Sequence, residues 1–260
     1  MIFDISYKYA YALGCLYFLA VWAVLFLRMK DERKSMLRIG LIWMWVGVMC
    51  EYLWWLRDWW HPQNVIGTFI GVEDFIISFT HFNVTIFVYK YVFKKASSAG
   101  RDGDNRKIFL RMSAIILLVF GPSFVLYYLF SLPSYIATGS GLLFASALVV
   151  YKRKDLILPG LLTAGLFFII TFVMFLIGSL VYPNVIVDIW YPETAKMVIL
   201  GYPVIDMIWY LVLGFLMGGV YEYVFQKQFV DSKRPSFKED MRDIYLIGKR
   251  FVQGKELIGH

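Results

Sequence analysis

Asp58-Trp59-Trp60-His61-Pro62 is nearly repeated as Asp188-Ile189-Trp190-Tyr191-Pro192, 130 residues further on (188 − 58). Each stretch leads into an apolar segment with an acid near its start. After the first comes Gly71-Val72-Glu73-Asp74-Phe75, and after the second Pro203-Val204-Ile205-Asp206-Met207. Carboxylates at matching places in two hydrophobic segments predict an internal duplication built around an acidic site in a membrane.

The composition agrees with a membrane. The chain is 60% hydrophobic, 19% aromatic and 17% charged, with a mean hydropathy of +0.62. A soluble domain of 260 residues cannot hide that much apolar surface, so the fold class is an all-α, polytopic membrane protein. The net charge of +7 would point to nucleic acid in a soluble chain. Here the basic residues fall in the connections, which makes them topology signals, and no nucleic-acid partner is expected. Cys15 and Cys50 lie inside apolar segments and predict neither a disulfide nor a thiolate metal site. The start, Met1-Ile2-Phe3-Asp4, has no basic stretch ahead of its first apolar run, which reads as a retained helix and not a cleaved signal.

Seven segments reach the roughly 20 residues needed to span a bilayer: 7–28, 39–57, 66–93, 108–130, 135–151, 156–182 and 197–226. Lys and Arg crowd the connections 28–38 and 94–111, the link Lys152-Arg153-Lys154, and the tail beyond 226. Only Lys8, Arg57 and Lys196 stand opposite. The excess of basic residues on one side predicts an N-terminus outside and a C-terminus in the cytoplasm, in the cell membrane. Both Asp-x-Trp-x-Pro stretches then lie outside, as lids or anchors. Segments one to three and five to seven run in the same directions, and Arg28-Met29-Lys30-Asp31 echoes Lys152-Arg153-Lys154-Asp155. The expected architecture is a 3+1+3 parallel repeat with its axis along the membrane normal. Its parts are a first unit over 1–93, a cytoplasmic loop and linker helix over 94–134, a second unit over 135–226, and a basic tail over 227–260. In the tail, Phe237, Met241, Ile244, Tyr245 and Phe251 recur at helical spacing, as in an amphipathic helix on the inner leaflet.

Depth brings the acids together. At about 1.5 Å per residue, Glu51 lies about 10 Å inward from Asp58, and Asp74 and Asp206 about 15 Å along from Asn64 and Lys196. An ionised acid near the middle of a spanning helix costs on the order of 2.5–3.5 kcal/mol. Glu51, Glu73, Asp74 and Asp206 are therefore expected to face inward and cluster, and they are the candidate catalytic residues. Glu51 and Asp58, seven apart, share a helix face with Trp54 and Trp55 between them. Asp74, Ser78, His81 and Thr85 form one polar stripe, and Asp206 shares its face with Trp209 and Tyr210. Trp54, Trp55, Ser78, His81, Trp209 and Tyr210 are the candidate substrate-binding residues. A protonated acid among indoles and phenols can give its proton to an alkene and leave the cation to aromatic π-faces.

Each feature also has a structural reading. Buried carboxyls bond neighbouring helices; Asp58 and Asp188 serve as caps or anchors; Trp59, Trp60 and Trp190 form an interfacial belt. His81 reads as a hydrogen-bond partner before a metal ligand, Ser78 and Thr85 bond back to their own helix, and Glu222 belongs to helix packing. Gly214 and Gly218 make a small-xxx-small pair suited to a close helix contact, including one that builds an oligomer.

At Gly71-Val72-Glu73-Asp74-Phe75, and at Pro203-Val204-Ile205-Asp206 followed by Trp209-Tyr210, the chain resembles the lycopene-cyclase-domain family of integral-membrane, heterodimeric-type carotenoid β-cyclases. That family carries a Pro-x-Glu-Glu-like motif opening a helix. The first copy here lacks the Pro, and the second has Ile205 in the place of an acid. The resemblance implies repeated three-helix units and cyclisation of a linear, apolar isoprenoid end group taken from membrane lipid. It also implies no net redox change and no cofactor or metal. Two other classes remain open: a non-enzymatic lipid-binding or accessory membrane protein, and a 3+1+3 small-molecule transporter. The letters exclude a retinal protein, since 197–226 holds no lysine, and offer no paired Asp-rich motif for a prenyltransferase.

Overall fold

The computed structural model describes residues 7–98, 104–232 and 242. Seven helices within them are long and apolar enough to cross a membrane. They are α1 (Tyr7–Arg28), α2 (Lys30–Asp58), α3 (Val72–Val92), α4 (Asn105–Leu129), α5 (Ser134–Lys152), α6 (Lys154–Val181) and α7 (Val204–Val224). The chain is therefore a largely helical, multi-pass membrane protein. The expected tail helix falls outside the described residues.

α3 and α7 begin later than the hydropathy predicts. Residues 66–71 form a loop, strapped by the Val65 N–H donating to Glu73 Oε1 at 2.7 Å. The short strands are β1 (Lys95–Ser97), β2 (Val198–Ile199), β3 (Tyr202–Pro203) and β4 (Phe229–Asp231), and β2 and β3 make a hairpin over residues 198–203. Its turn holds Leu200 and Gly201 at φ 52° and 76°, and glycine is the residue that adopts such angles without strain. Apolar letters extend the hydropathy signal through both stretches, but Gly71 and Pro203 set the helix starts. Asp74 and Asp206 are thus third in their helices, in the first turn, and not well down them as the rise estimate placed them. Helix amides and the positive end of the macrodipole meet carboxylates there.

The two helices match in detail. Each has 21 residues, opens on Val with Asp third, and closes on Tyr-x-Tyr-Val. Each is followed by a Phe and then a residue in the left-handed region, Lys94 (φ 53°) and Gln226 (φ 50°). They touch each other at the centre of the bundle; α3 also packs on α1, α2 and α6, and α7 on α5 and α6. α4 lies outermost, mainly against α5. Leu16, Leu27, Phe109, Leu117, Leu158 and Leu180 are exposed on the outer helices, an apolar surface suited to lipid.

Gly214 and Gly218 face α6 of the same chain. A Cβ on Gly214 would stand 2.7 Å from the Ala164 Cα, and one on Gly218 3.0 Å from the Gly160 Cα. The small-xxx-small pair is therefore used inside the bundle, as a close contact between α6 and α7.

Each end of the bundle is tied by a cross-link. At one end, Trp60 and Trp190 form an antiparallel bridge. The His61 N–H donates to Ile189 O at 2.7 Å, and the Tyr191 N–H to Trp59 O at 3.1 Å. At the other, basic end, β1 (Lys95–Ser97) pairs with β4 (Phe229–Asp231). Beneath that ribbon Lys90 is fully buried, with Nζ 2.8 Å from Glu222 Oε1 and 3.8 Å from Glu32 Oε1. It donates to Ser97 Oγ at 2.7 Å, which donates to Glu222 at 2.8 Å, and it sits 4.1 Å from the centre of the Tyr221 ring. At the end of the ribbon, on the surface, Lys95 donates to Asp231 and holds that carboxyl below the usual range.

Candidate functional site

Two cavities share a wall near the bridged end. The inner one, about 60 Å³, is lined by Glu51, Trp55, Trp59, Trp60, Ser78, His81, Trp190, Asp206, Trp209 and Tyr210, among others. The outer one, about 330 Å³, lies between α1 and α6, with Tyr11, Leu13, Gly14, Leu16, Tyr17, Met174, Phe175, Ile177 and Gly178 on its sides. Leu16 and Ile177 are exposed at 60% and 41%, so this cavity opens sideways where lipid would lie. Trp60, Ile77, His81, Trp190 and Tyr210 border both spaces and form the partition.

Sequence neighbours Trp59 and Trp60 hold the two acids of the inner chamber. The Trp59 indole N–H donates to Asp206 Oδ1 at 2.8 Å, and that of Trp60 to Glu51 Oε2 at 2.9 Å. Trp190 is a further side-chain partner of Asp206. Glu51 and Asp206 are each 2% exposed, and neither cavity is lined by a Lys or Arg. The indole cluster is edge-to-face throughout: Trp55–Trp209 at 5.3 Å, Trp59–Trp209 at 5.1 Å and Trp55–Trp59 at 5.6 Å between ring centres. Thr138 Oγ1, on α5, accepts from both Trp55 and Trp209, at 3.3 and 3.1 Å. One hydroxyl thereby fixes two walls of the chamber.

A π-helical turn over Glu51–Trp55 aims these groups. It puts one residue more into the helix than α geometry holds, and such widened turns recur at functional sites. Glu51 and Asp58 consequently do not share a face. Glu51 looks into the chamber, while Asp58 Oδ2 accepts from the Ser134 N–H at 2.9 Å and caps α5. Trp54 turns away as well, packing on Phe120 and Tyr127 of α4 at 5.4 and 6.4 Å. Trp55 keeps its predicted place on the wall.

Glu73 and Asp74 lie off the chamber. Glu73 is occupied with Val65. Asp74 accepts from the Gly71 N–H at 2.6 Å, which secures the start of α3, and from the Tyr11 hydroxyl at 2.7 Å. Tyr11 meets Trp60 edge-to-face at 5.3 Å, so Asp74 is joined to Glu51 through two aromatic rings. Ser78 lines the chamber and abuts Gly47, where it sets the approach of α2 to α3. Thr85 donates to His81 O at 2.5 Å, bonding back to its own helix. His81 stacks between Phe18 at 3.8 Å and Tyr210 at 5.7 Å, and its Nδ1 meets Ile77 O at 3.2 Å.

Sequence reasoning missed Trp59, Trp60 and Trp190, assigned to an interfacial belt; Trp59 and Trp190 are 6% exposed and all three face the acids. It also missed Tyr11 and Thr138. The repeated Asp-x-Trp-x-Pro letters carried the tryptophan signal. Tyr202, ahead of α7, backs the outer cavity: it stacks on Phe175 at 4.2 Å and donates to Thr171 Oγ1 at 2.7 Å. Burial, reinforced by Tyr210, pushes its phenol well above the usual range.

Chemically, the inner chamber offers two carboxyls without a basic partner among the described residues, walled by indole faces, next to a mostly apolar space open to the bilayer. Comparison of the chain with protein-family models, curated proteins and solved structures found no match.

Proposed function

We propose that the protein is an integral-membrane cyclase acting on the end group of a linear, carotenoid-like isoprenoid. One observation carries this reading: Glu51 and Asp206 face a single indole-lined chamber that shares a wall with a lipid-side cavity. The outer cavity falls at the lower end of the roughly 300–1,000 Å³ usual for small-molecule sites. In the proposed reaction one carboxyl gives its O–H proton to the terminal alkene. The resulting cation is attacked by a second double bond, forming the ring C–C bond. The other carboxylate removes an adjacent C–H proton and regenerates an alkene. The product is an isomer of the substrate, and no cofactor enters. Indole faces lower the energy of the cation, and positioned acids and bases typically contribute 10²–10⁴-fold.

The architecture proposed with it is a 3+1+3 repeat, α1–α3 and α5–α7 joined by α4, with the bridged end outside and the basic end in the cytoplasm of a cell membrane. Several matches support it. α3 and α7 have equal lengths and matching letters, Trp60 bridges Trp190, and Lys90 pairs with Glu222. The last two residues stand equally far past their acids, 90 − 74 and 222 − 206 both giving 16. Basic clusters at one end are the usual mark of the cytoplasmic face.

A second reading, non-enzymatic binding of an isoprenoid, is favoured by the inner chamber's size. About 60 Å³ takes water and not a ring, and both acids already have donors. Expression in cells accumulating a linear carotenoid, followed by pigment analysis, separates the two. Cyclisation requires a ring-bearing pigment that Glu51→Gln and Asp206→Asn each reduce by about 100-fold or more. Unchanged linear pigment beside folded protein would sink the cyclase, and linear pigment copurifying with that protein would support the binder.

A further inference from the structure

His81 is a buried group that neither the packing nor the proposed proton transfer uses in full. The residue is 9% exposed and lies in the partition between the two cavities. Nδ1 faces a carbonyl oxygen, which has no hydrogen to give, so in the neutral ring Nδ1 carries the proton and Nε2 the lone pair. Nε2 is buried and has no hydrogen-bond partner among the described residues. Leaving a buried acceptor unmet is costly, and such an atom beside a cavity marks where a donor is received. The outer cavity is mostly apolar, with Tyr11, Tyr17 and Tyr210 also in its lining, and opens between α1 and α6 at Leu16 and Ile177. Phe18 and Tyr210 clamp the imidazole faces and fix the direction of the lone pair.

We propose that the outer cavity is a binding site for a single apolar chain ending in a hydroxyl, which donates its hydrogen bond to His81 Nε2. The chain runs out between α1 and α6 toward lipid, and the hydroxyl end stops at the partition. The inference goes beyond cyclisation, because a ligand held in this way need not react, and its test reads binding alone. Isoprenoid and straight-chain alcohols share the chemistry, so both are used as probes.

The experiment uses the full chain in lipid nanodiscs. Equilibrium binding of each tritiated ligand, with empty nanodiscs as the blank, measures the affinity of farnesol against farnesene and of pentadecanol against pentadecane. The alcohol of at least one pair should bind about five- to tenfold tighter than its hydrocarbon, the range expected of one hydrogen bond. In His81→Phe that preference should vanish while the hydrocarbon affinity stays, which also shows that the variant is folded. Independently of any variant, the ¹⁵N resonance of His81 Nε2 in the wild type should move with the alcohol and not with the hydrocarbon. Which alcohol wins identifies the source of the chain. Equal affinities within both pairs, no binding at all, or a preference that survives in His81→Phe would overturn the proposal. Absence of cyclised pigment, by contrast, bears only on the enzyme reading.

Discussion

Trp60 and Trp190 stand opposite each other in an antiparallel bridge, their rings 6.0 Å apart, and each indole faces one of the two chamber acids. Trp60 donates to Glu51, and its sequence neighbour Trp59 donates to Asp206, with Trp190 beside the same carboxyl. The repeated stretches are thus the roof of the site as well as the clasp of the bundle.

Removing an indole N–H should leave a buried carboxyl short of a donor. Trp60→Phe is expected to destabilise the protein by about 1–3 kcal/mol, read by thermal unfolding in detergent. Trp59→Phe should cost less, because Trp190 remains beside Asp206. Equal losses would show that Trp190 does not share the load.

The buried pair at the basic end predicts a non-additive series. Lys90→Met or Glu222→Met alone should cost about 3–5 kcal/mol, because each strands a buried partner. The double variant Lys90→Met with Glu222→Met should recover part of that loss, tempered by Glu32 at 3.8 Å. Additive losses in a double-mutant cycle would count against a coupled pair.

Close contact of α6 and α7 predicts a sharp split among glycines. Gly214→Ala meets the Ala164 backbone at 2.7 Å and should cost about 1–3 kcal/mol. Gly165→Ala, which meets nothing within 4 Å, should be neutral or slightly stabilising. Unfolding temperatures of the two purified variants check this.

Sidedness can be read with thiol reagents. Gln63→Cys and Lys154→Cys place exposed thiols at opposite ends of the bundle, while Cys15 and Cys50 are buried. In intact cells an impermeant maleimide should label Gln63→Cys only, and Lys154→Cys should react only after lysis. The reverse pattern would invert the proposed orientation.

Hydropathy made the seven spans legible, and depth and helix faces made Glu51, Asp206, Trp55 and Trp209 legible as neighbours. What escaped depended on where helices start and how they are wound. Val65–Ile70 and Met197–Tyr202 are apolar enough to read as helix, so Asp74 and Asp206 were set too deep. Spacing alone could not separate Trp54, facing α4, from Trp55, facing the chamber, because a π turn changes the residue count per turn. The end of the repeat was readable and went unread. Tyr89-Lys90-Tyr91-Val92-Phe93 and Tyr221-Glu222-Tyr223-Val224-Phe225 differ at one letter, and that letter supplies the opposite charges of the buried pair.

The widened turn at Glu51–Trp55 gives the site a tolerance in length at one point only. It holds one residue more than α geometry does, so a helix that loses Tyr52 can return to α geometry with the flanking residues rotated as before. Trp59 and Trp60 would keep their bearing on Asp206 and Glu51, and Asp58 its bearing on α5. One codon removed from the α-helical part of the same span would instead swing everything beyond it by about 100°, leaving a well-inserted protein with a dismantled chamber.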